Sequence, residues 1–264
     1  MSNRLLIRCD DLGYSEGVNY GIYAAVSRGI ARNVGLMPNM EWAAHGVRLL
    51  KDNAVCLGQH TNICAGRPVS NPAQIPSLVD PATGAFYPSQ RFRKSDTDFV
   101  ALDDAVREVE AQYHRFVELT GRKPDYFEGH AVASENFLRA LEIVADRHSL
   151  CLEGIKCPDP LMDGVIVQPS FQGTRLKTFM DSMKPDYDPF TTLQKAALVD
   201  CGVSECAMMI CHPGYLDSYI LQNSSLTLPR TLEVTMLTDP AVRDWLILHN
   251  IELITFRDLC ESVI

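Results

Sequence analysis

Five polar side chains with catalytic potential follow apolar, strand-like runs at widely separated points of the chain. They are Asp10, Asp11, His60, His130 and His212. Burying a pair of carboxylates beside a hydrophobic strand end is costly unless a metal or a proton relay uses them. An isolated pair of aspartates would more often cap the following helix. Because four separate strand ends carry such groups, the pattern favours one shared site.

The residue types in this set predict metal-assisted hydrolysis. One carboxylate and two imidazoles on rigid strand ends form a three-ligand site with open positions, which suits a catalytic divalent metal. Such a metal holds a water molecule, lowers the pKa of that water and polarises a substrate carbonyl. A second carboxylate nearby can take the proton of the water, and a further histidine can protonate the leaving group.

The two aspartates cannot be assigned separately from the residues alone. Adjacent residues of an extended strand point to opposite faces, so Asp10 and Asp11 share one side only if the chain bends. The dipeptide Leu12-Gly13 directly after them can supply such a bend. Which of the two acids would bind the metal remains open at this point.

Each histidine has an alternative interpretation. His212 follows a strongly apolar run and precedes Pro-Gly, which favours a functional role. Glu128 lies two residues before His130 and could orient its imidazole. His60 could instead be an ordinary loop residue. The remaining histidines lie on predicted helices or at their ends and are expected to be surface or core residues: His45, His114, His148 and His249.

Predicted strands and helices alternate along the chain. Strands are predicted at residues 5–9, 33–37, 55–59, 125–128, 154–157, 164–167, 206–211 and 251–254. Helices are predicted at residues 15–29, 42–50, 97–121, 135–148, 190–199, 241–248 and 256–263. No β-hairpin signal separates the strands, and the alternation implies parallel strands joined by crossover helices.

The dispersed site favours an irregular (β/α) barrel, similar to a TIM barrel, over an open doubly wound sheet. A barrel brings all its strand ends to one mouth, whereas an open sheet spreads them along a line. The barrel is expected to be irregular because residues 158–189 are poorly patterned. Residues 1–264 are expected to form one domain.

Two long stretches lack a regular pattern. Prolines punctuate residues 61–96, and a loop of this length usually has a function, such as that of a substrate flap. Residues 215–239 form the second irregular stretch.

Composition narrows the class of protein. Apolar residues make up 46% and charged residues 22% of the 264 residues, as in soluble globular proteins. The net charge of -9 argues against binding to nucleic acid or to an anionic membrane surface. No stretch reaches the length of a membrane span, and the first strand leaves no room for a leader, so a cytoplasmic protein is expected. The nine cysteines include no C-x-x-C pair and are expected to be reduced and mostly buried.

Several short motifs fall in a recognisable order. They are Asp10-Asp11-Leu12-Gly13 with Asn19-Tyr20-Gly21-Ile22, Gly58-Gln59-His60, Gly121-Arg122-Lys123-Pro124, Glu128-Gly129-His130, Cys211-His212-Pro213-Gly214 and Pro229-Arg230-Thr231-Leu232-Glu233. Together they cover essentially the whole chain, and they resemble the YdjC-like carbohydrate deacetylases, in particular the chitooligosaccharide deacetylases.

The resemblance implies an irregular (β/α) barrel that removes the acetyl group from a small N-acetylated amino sugar, such as a chitooligosaccharide, chitobiose or its phosphate. It implies that Asp11 binds one divalent metal ion, magnesium or zinc, together with His60 and His130. It further implies that Asp10 is the general base for the attacking water and that His212 is the general acid for the departing amine. A homodimer is compatible with it.

One departure from the family pattern bears on the substrate. The family usually continues through the metal-binding histidine in a D-x-H-x-H-x-H run. Here Glu128 replaces the aspartate, and residues 131–134 contain no histidine. The three implied ligands survive, while the identity of the sugar stays open, and a cytoplasmic location favours an imported mono- or disaccharide. The alternatives are a metal-dependent sugar isomerase or epimerase and a sugar-binding protein without activity.

Overall fold

The computed structural model describes residues 3–153 and 170–261. Its strands are β1 (Asn3–Leu12), β2 (Asn33–Leu36), β3 (Cys56–Thr61), β4 (Phe127–Gly129), β5 (Ser170–Phe171), β6 (Thr174–Phe179), β7 (Glu205–Cys211) and β8 (Ile251–Ile254). Its helices are α1 (Glu16–Ser27), α2 (Ala43–Leu50), α3 (Ser89–Lys94), α4 (Leu102–Thr120), α5 (Glu135–His148), α6 (Pro189–Leu198), α7 (Ser218–Asn223), α8 (Leu228–Thr238), α9 (Pro240–Leu248) and α10 (Phe256–Glu261).

One curled, mostly parallel sheet organises these elements. The strand order is β4-β3-β2-β1-β7-β6-β5, and β8 pairs with the start of β1. Every pairing between these strands is parallel except that of β5 with β6. The carboxyl ends of β1, β3, β4 and β7 therefore lie along the same mouth. The expected α/β architecture of an irregular, mostly parallel (β/α) barrel is confirmed.

The central strand β1 is buried on both faces. Leu5, Leu6 and Cys9 have no exposed surface and Ile7 has 2%, as expected for a parallel strand covered by helices. The helix α1 follows directly, and the Ser15 hydroxyl caps it by accepting a hydrogen bond from the Val18 nitrogen at 3.2 Å. The first strand and its helix thus form as the sequence predicts.

Among the later strands, those predicted at 206–211 and 251–254 are found as β7 and β8. The strands predicted at 154–157 and 164–167 lie outside the described residues. The expectation that no hairpin separates strands was wrong, because β5 and β6 form an antiparallel hairpin. Its turn is Gln172-Gly173, with φ angles of 48° and 79°, and it lacks the Asn or Asp that usually marks such a turn.

Two stretches predicted to be irregular contain helices. Residues 215–239 hold α7, capped by the Asp217 side chain through the Ile220 nitrogen, and α8, whose first turn accommodates Pro229 because proline is tolerated there. Residues 61–96 contain a 3-10 turn at Pro72–Gln74 and the helix α3.

The longest helix, α4, begins at Leu102, later than the predicted Thr97, and ends at Gly121 with φ of 72°. None of the described helices is long and apolar enough to cross a membrane.

Candidate active site

A bulge in β1 turns both aspartates toward the mouth of the sheet. Cys9 pairs with Val34 and Leu12 with Leu36, so three steps on β1 oppose two on β2. Asp11 takes up the difference with a φ of 77°, a left-handed conformation that aspartate tolerates better than most residues. The bend that the two acids require therefore lies at the aspartates themselves rather than at Leu12-Gly13.

Asp11, His60 and His130 converge on one point. Asp11 Oδ1 lies 3.4 Å from His60 Nε2 and 3.4 Å from His130 Nδ1, and the two nitrogens are 2.8 Å apart. The backbone nitrogen of His130 donates to the Thr61 carbonyl at 2.8 Å, which extends the pairing of β3 with β4 and keeps the two imidazoles side by side.

This triangle fits a divalent metal. Ligands placed 2.0–2.2 Å from an ion at tetrahedral or octahedral angles are separated by about 2.9–3.5 Å, close to the spacings of these three atoms. Asp11 Oδ1 is buried and accepts no well-formed hydrogen bond within residues 3–153 and 170–261. Burial lowers the pKa of His130 to about 3, so its nitrogen keeps the lone pair that a metal ligand needs.

Gly35 on β2 permits the close approach of the site residues. A Cβ atom at this position would lie 3.0 Å from Asp10 Oδ1 and 3.1 Å from His60 Cβ. Because β2 runs between β1 and β3, a larger residue would push Asp10 and His60 apart. No local sequence pattern marks Gly35 as part of the site.

Arg8 holds Asp10. Its Nη2 and Nε donate to Asp10 Oδ2 at 2.7 and 3.1 Å, and its Nη1 donates to Glu153 Oε2 at 2.5 Å. Burial raises the pKa of Asp10, but Arg8, together with His60, brings it net below the ordinary value. The Asp10 carboxylate is therefore ionised at neutral pH, and its Oδ1 has no hydrogen-bond partner among the described residues.

Glu128 orients His60, not His130 as the sequence analysis expected. Glu128 Oε1 contacts His60 Nδ1, because β3 and β4 are neighbours and His60 pairs directly with Glu128 across them. Burial lowers the pKa of His60, yet the Glu128 and Asp10 carboxylates raise it net well above its ordinary value. Without a metal both ring nitrogens therefore carry a proton at neutral pH; a metal at Nε2, which faces Asp11 and His130, would displace its proton, while Nδ1 keeps its hydrogen bond to Glu128.

The helix α8 brings Arg230 and Glu233 to the other side of the site. Arg230 Nη2 donates to Asp11 Oδ2 at 2.7 Å, and its Nη1 donates to the His212 carbonyl at 3.3 Å. Glu233 Oε2 accepts from the His212 backbone nitrogen at 2.5 Å, and its Oε1 accepts from the Tyr187 hydroxyl at 2.7 Å. These contacts fix His212 just after β7.

The His212 imidazole lies in the field of the charged groups of the site. Burial lowers its pKa, although Asp11 and Asp10 oppose the shift. Its Nδ1 is buried and has no hydrogen-bond partner within the described part of the chain. The histidines expected to be ordinary, at 45, 114, 148 and 249, lie on or at the ends of α2, α4, α5 and α9.

Sequence reasoning named all five polar groups that the structure brings to this mouth but missed those that hold them. Arg8 could have been found, since residues two apart on a strand share a face. Arg230 and Glu233 stood in a quoted motif without an assigned role. Glu153 carried no signal, because its pairing with Arg8 joins residues 145 positions apart.

A cavity of about 380 Å³ opens beside His130. Tyr14 and Tyr219 line it, as do Arg67 and Ser89 from the stretch predicted to be a flap. The fold and the site together define an α/β barrel protein with a candidate metal centre at the carboxyl ends of its strands.

Comparison with known proteins agrees with this class. The family described as YdjC-like protein matches residues 4–247, and the chain belongs to that family. It is 32% identical over 265 residues to a carbohydrate deacetylase of Geobacillus stearothermophilus, covering 98% of both chains. It is 27% identical over 258 residues to a chitooligosaccharide deacetylase of Yersinia enterocolitica, covering 92% of this chain and 94% of the relative.

Solved structures show the same fold. A crystal structure of a protein from Enterococcus faecalis V583 superposes with a TM-score of 0.80 at 23% identity, over 98% of this chain and 99% of the other. A family 4 acetyl xylan esterase from Clostridium thermocellum, solved in complex with a cobalt ion, gives a TM-score of 0.51 at 11% identity, over 97% of this chain and 90% of the other.

Proposed function

We propose that this protein is a metal-dependent hydrolase that removes the acetyl group from an N-acetylated amino sugar and releases acetate. The observation that carries the proposal is the triangle of Asp11, His60 and His130, whose donor atoms converge. Beside them, one oxygen of Asp10 has no hydrogen-bond partner among the described residues. The carbohydrate deacetylases among its relatives support the same reaction.

Asp11 Oδ1, His60 Nε2 and His130 Nδ1 would hold the divalent ion; of the two ions expected, magnesium and zinc, a set with two imidazole nitrogens suits zinc better. A bound ion supplies Lewis-acid activation of the acetamide carbonyl and of a water molecule. Asp10 Oδ1 accepts the proton of the water as the water oxygen bonds to the carbonyl carbon. Because burial lowers its pKa, His212 must first take up a proton; it then gives that proton to the sugar nitrogen as the carbon–nitrogen bond breaks, so that acetate and a free amine leave.

The cavity beside His130 supports a small sugar as the substrate. Its volume of about 380 Å³ falls within the ordinary range of small-ligand pockets. Arg67 lines the cavity, and its guanidinium forms no ion pair with a carboxylate of the described residues. A guanidinium in that position suits a phosphorylated mono- or disaccharide. A cytoplasmic location and a homodimer remain predictions.

The test is an acetate-release screen over N-acetylated mono- and disaccharides, with and without phosphate, on protein whose metal content is measured by elemental analysis. We expect stoichiometric acetate and free amine, loss of turnover after chelation, and recovery after a divalent ion is restored. Conversion of the sugar with its acetyl group retained would instead indicate an isomerase or epimerase. Tight metal and sugar binding without any product would indicate a sugar-binding protein.

A further inference from the structure

A second group of metal-binding side chains lies on the helices α4 and α5, apart from the site described above. Glu110 and His114 belong to α4, and His148 is the last residue of α5. His114 Nε2 lies 3.3 Å from Glu110 Oε1, and His148 Nε2 contacts the same oxygen. One donor atom from each residue lies within 4.8 Å of the other two, and none of the three belongs to the active site.

The contacts around this group hold its members in place. The ring of Tyr113 stacks on His148 with centroids 4.0 Å apart and planes inclined by 29°. Lys123 Nζ donates to the His148 carbonyl at 2.7 Å, which ties down the end of α5. Spacing of four residues places Glu110 and His114 on the same face of α4.

Arg147 contacts the Glu110 carboxylate without using Oε1, the oxygen that both imidazoles approach. Arg147 Nη1 donates to Glu110 Oε2 at 3.3 Å, the oxygen that the imidazoles do not share. The guanidinium therefore orients the Glu110 carboxylate from behind, as outer partners of metal ligands commonly do. The side chains of Glu110 and His148 are 24% and 23% exposed, and that of His114 is 66% exposed, so the group is half-buried with an open side for entry.

We propose that Glu110, His114 and His148 form a second divalent-metal site, which clips the end of α5 to α4. Two imidazole nitrogens and one carboxylate oxygen suit zinc, copper, nickel or cobalt, whereas magnesium prefers all-oxygen sites. Binding displaces the protons that the imidazoles otherwise direct at Glu110, and water fills the remaining positions. The site would stabilise the packing of α4, which lies between β3 and β4 in the chain, against α5, which follows β4.

Zinc binding to full-length protein tests the proposal. In a His60→Ala background, which disables the first site, dialysis against zinc and elemental analysis should find one bound equivalent. His60→Ala with His114→Ala should bind none, and zinc should raise the melting temperature of the first protein but not of the second. Circular dichroism verifies that both are folded, and His114 is exposed enough for its replacement to leave the core intact.

Two controls guard against nonspecific binding. His249→Ala in the His60→Ala background removes another helix-end histidine, stacked on Trp245, and should keep the bound equivalent. His114→Ala alone should lose one equivalent relative to the wild type and keep its acetate release, because it touches nothing in the active site. The proposal would be overturned if the His60→Ala protein bound no zinc, or if its zinc content were the same with and without His114. It would also be overturned if His249→Ala removed as much zinc as His114→Ala.

Discussion

Arg230 Nη2 lies 2.7 Å from Asp11 Oδ2, whereas Asp11 Oδ1 faces His60 and His130 at 3.4 Å each. The two oxygens of one carboxylate thus have different surroundings. Burial raises the pKa of Asp11, but Arg230 brings it net well below the ordinary value. The guanidinium therefore keeps the carboxylate ionised and points its second oxygen at the imidazoles.

Replacing Arg230 by lysine should weaken metal binding without removing a ligand. A single ammonium cannot donate to both Asp11 and the His212 carbonyl, as Arg230 does. Changes to residues that orient metal ligands typically cost about 10–100-fold in affinity. Competition with a chelator of known affinity measures the effect. Within the described residues the Arg243 side chain donates to the carbonyls of residues 28 and 29, away from the metal ligands, so Arg243→Lys should leave the affinity unchanged.

His60→Ala and His130→Ala should each remove the active-site metal while the protein stays folded. Each variant deletes one of three converging donor atoms, and two remaining ligands hold a divalent ion poorly. Elemental analysis measures the bound metal, with His249→Ala as the control variant, and circular dichroism verifies the fold. Zinc bound at the second site, at Glu110, is subtracted from the total first. Full occupancy of the active site in either variant would then reject the ligand assignment.

The sequence predicts best those features that depend on local pattern. The helix α5 has the predicted bounds, Glu135–His148, because its apolar residues recur at helical spacing, and the structure adds a cap from Ser134. The strands ending near Asp10, His60 and His212 were predicted from short buried runs. Several motifs in register predicted the family, and site residues at four dispersed strand ends favoured the barrel.

Features that depend on distant partners could not be predicted. The bulge that lets Asp10 and Asp11 face one mouth is a property of the pairing of β1 with β2, not of either strand alone. The contact of Glu128 with His60 arises because β3 and β4 are neighbours, and sequence proximity pointed to His130 instead. The role of Glu153 became visible only when the fold placed it against Arg8.

The stretch at residues 61–96 should set substrate choice through Arg67. Shortening this stretch between Ser70 and Pro88 is a poor test, because Ile75, Leu78 and Phe86 are buried in a core cluster and a deletion would destabilise it. Arg67→Ala should raise KM for a phosphorylated N-acetyl sugar by about 10–100-fold, the worth of one charged hydrogen bond, and should change KM for the unphosphorylated sugar little.

Metal content should be unchanged in the Arg67 variant, since Arg67 contacts none of the proposed ligands. Arg139→Ala removes an exposed arginine of α5 that pairs with Glu142 and serves as the matched control. Equal changes in KM for both sugars, or none, would mean that Arg67 does not recognise a phosphate.

Glu233 should make stability depend on pH. Burial raises its pKa to about 7 from an ordinary value of 4.5. Because the folded protein binds this proton more tightly than the unfolded chain, the stabilisation is fully present below pH 4.5 and is lost as the pH rises toward 7. Glu233→Gln does not titrate, so the free energy of unfolding of the wild type should fall relative to this variant by up to about 1.4 kcal/mol per pH unit across that window.

Urea denaturation of the metal-free proteins at several pH values between 4.5 and 7 measures this difference. The control Glu41→Gln changes an exposed glutamate and should follow the wild type throughout. A constant difference between wild type and Glu233→Gln across the window would show that Glu233 does not bind the proton.

Asp10 and Asp11 should respond differently to conversion to asparagine. Asp10→Asn keeps the shape of the side chain but removes the proton acceptor, so metal should stay bound while turnover falls by about two to four orders of magnitude. Asp11→Asn replaces an anionic ligand by a neutral one, which should weaken metal binding itself. Acetate release and metal content, measured on both variants, separate the two effects.

Excess metal provides the decisive comparison between the two aspartates. It should restore part of the activity of Asp11→Asn, whose remaining ligands His60 and His130 are intact, and none of the activity of Asp10→Asn. The geometry gives the reason, since Asp11 Oδ1 lies 3.4 Å from one nitrogen of each imidazole, whereas Asp10 Oδ1 has no hydrogen-bond partner among the described residues and can accept a proton. Rescue of Asp10→Asn instead would mean that the roles are reversed. Unchanged acetate release in both variants would mean that the two acids only end a strand and that hydrolysis occurs elsewhere.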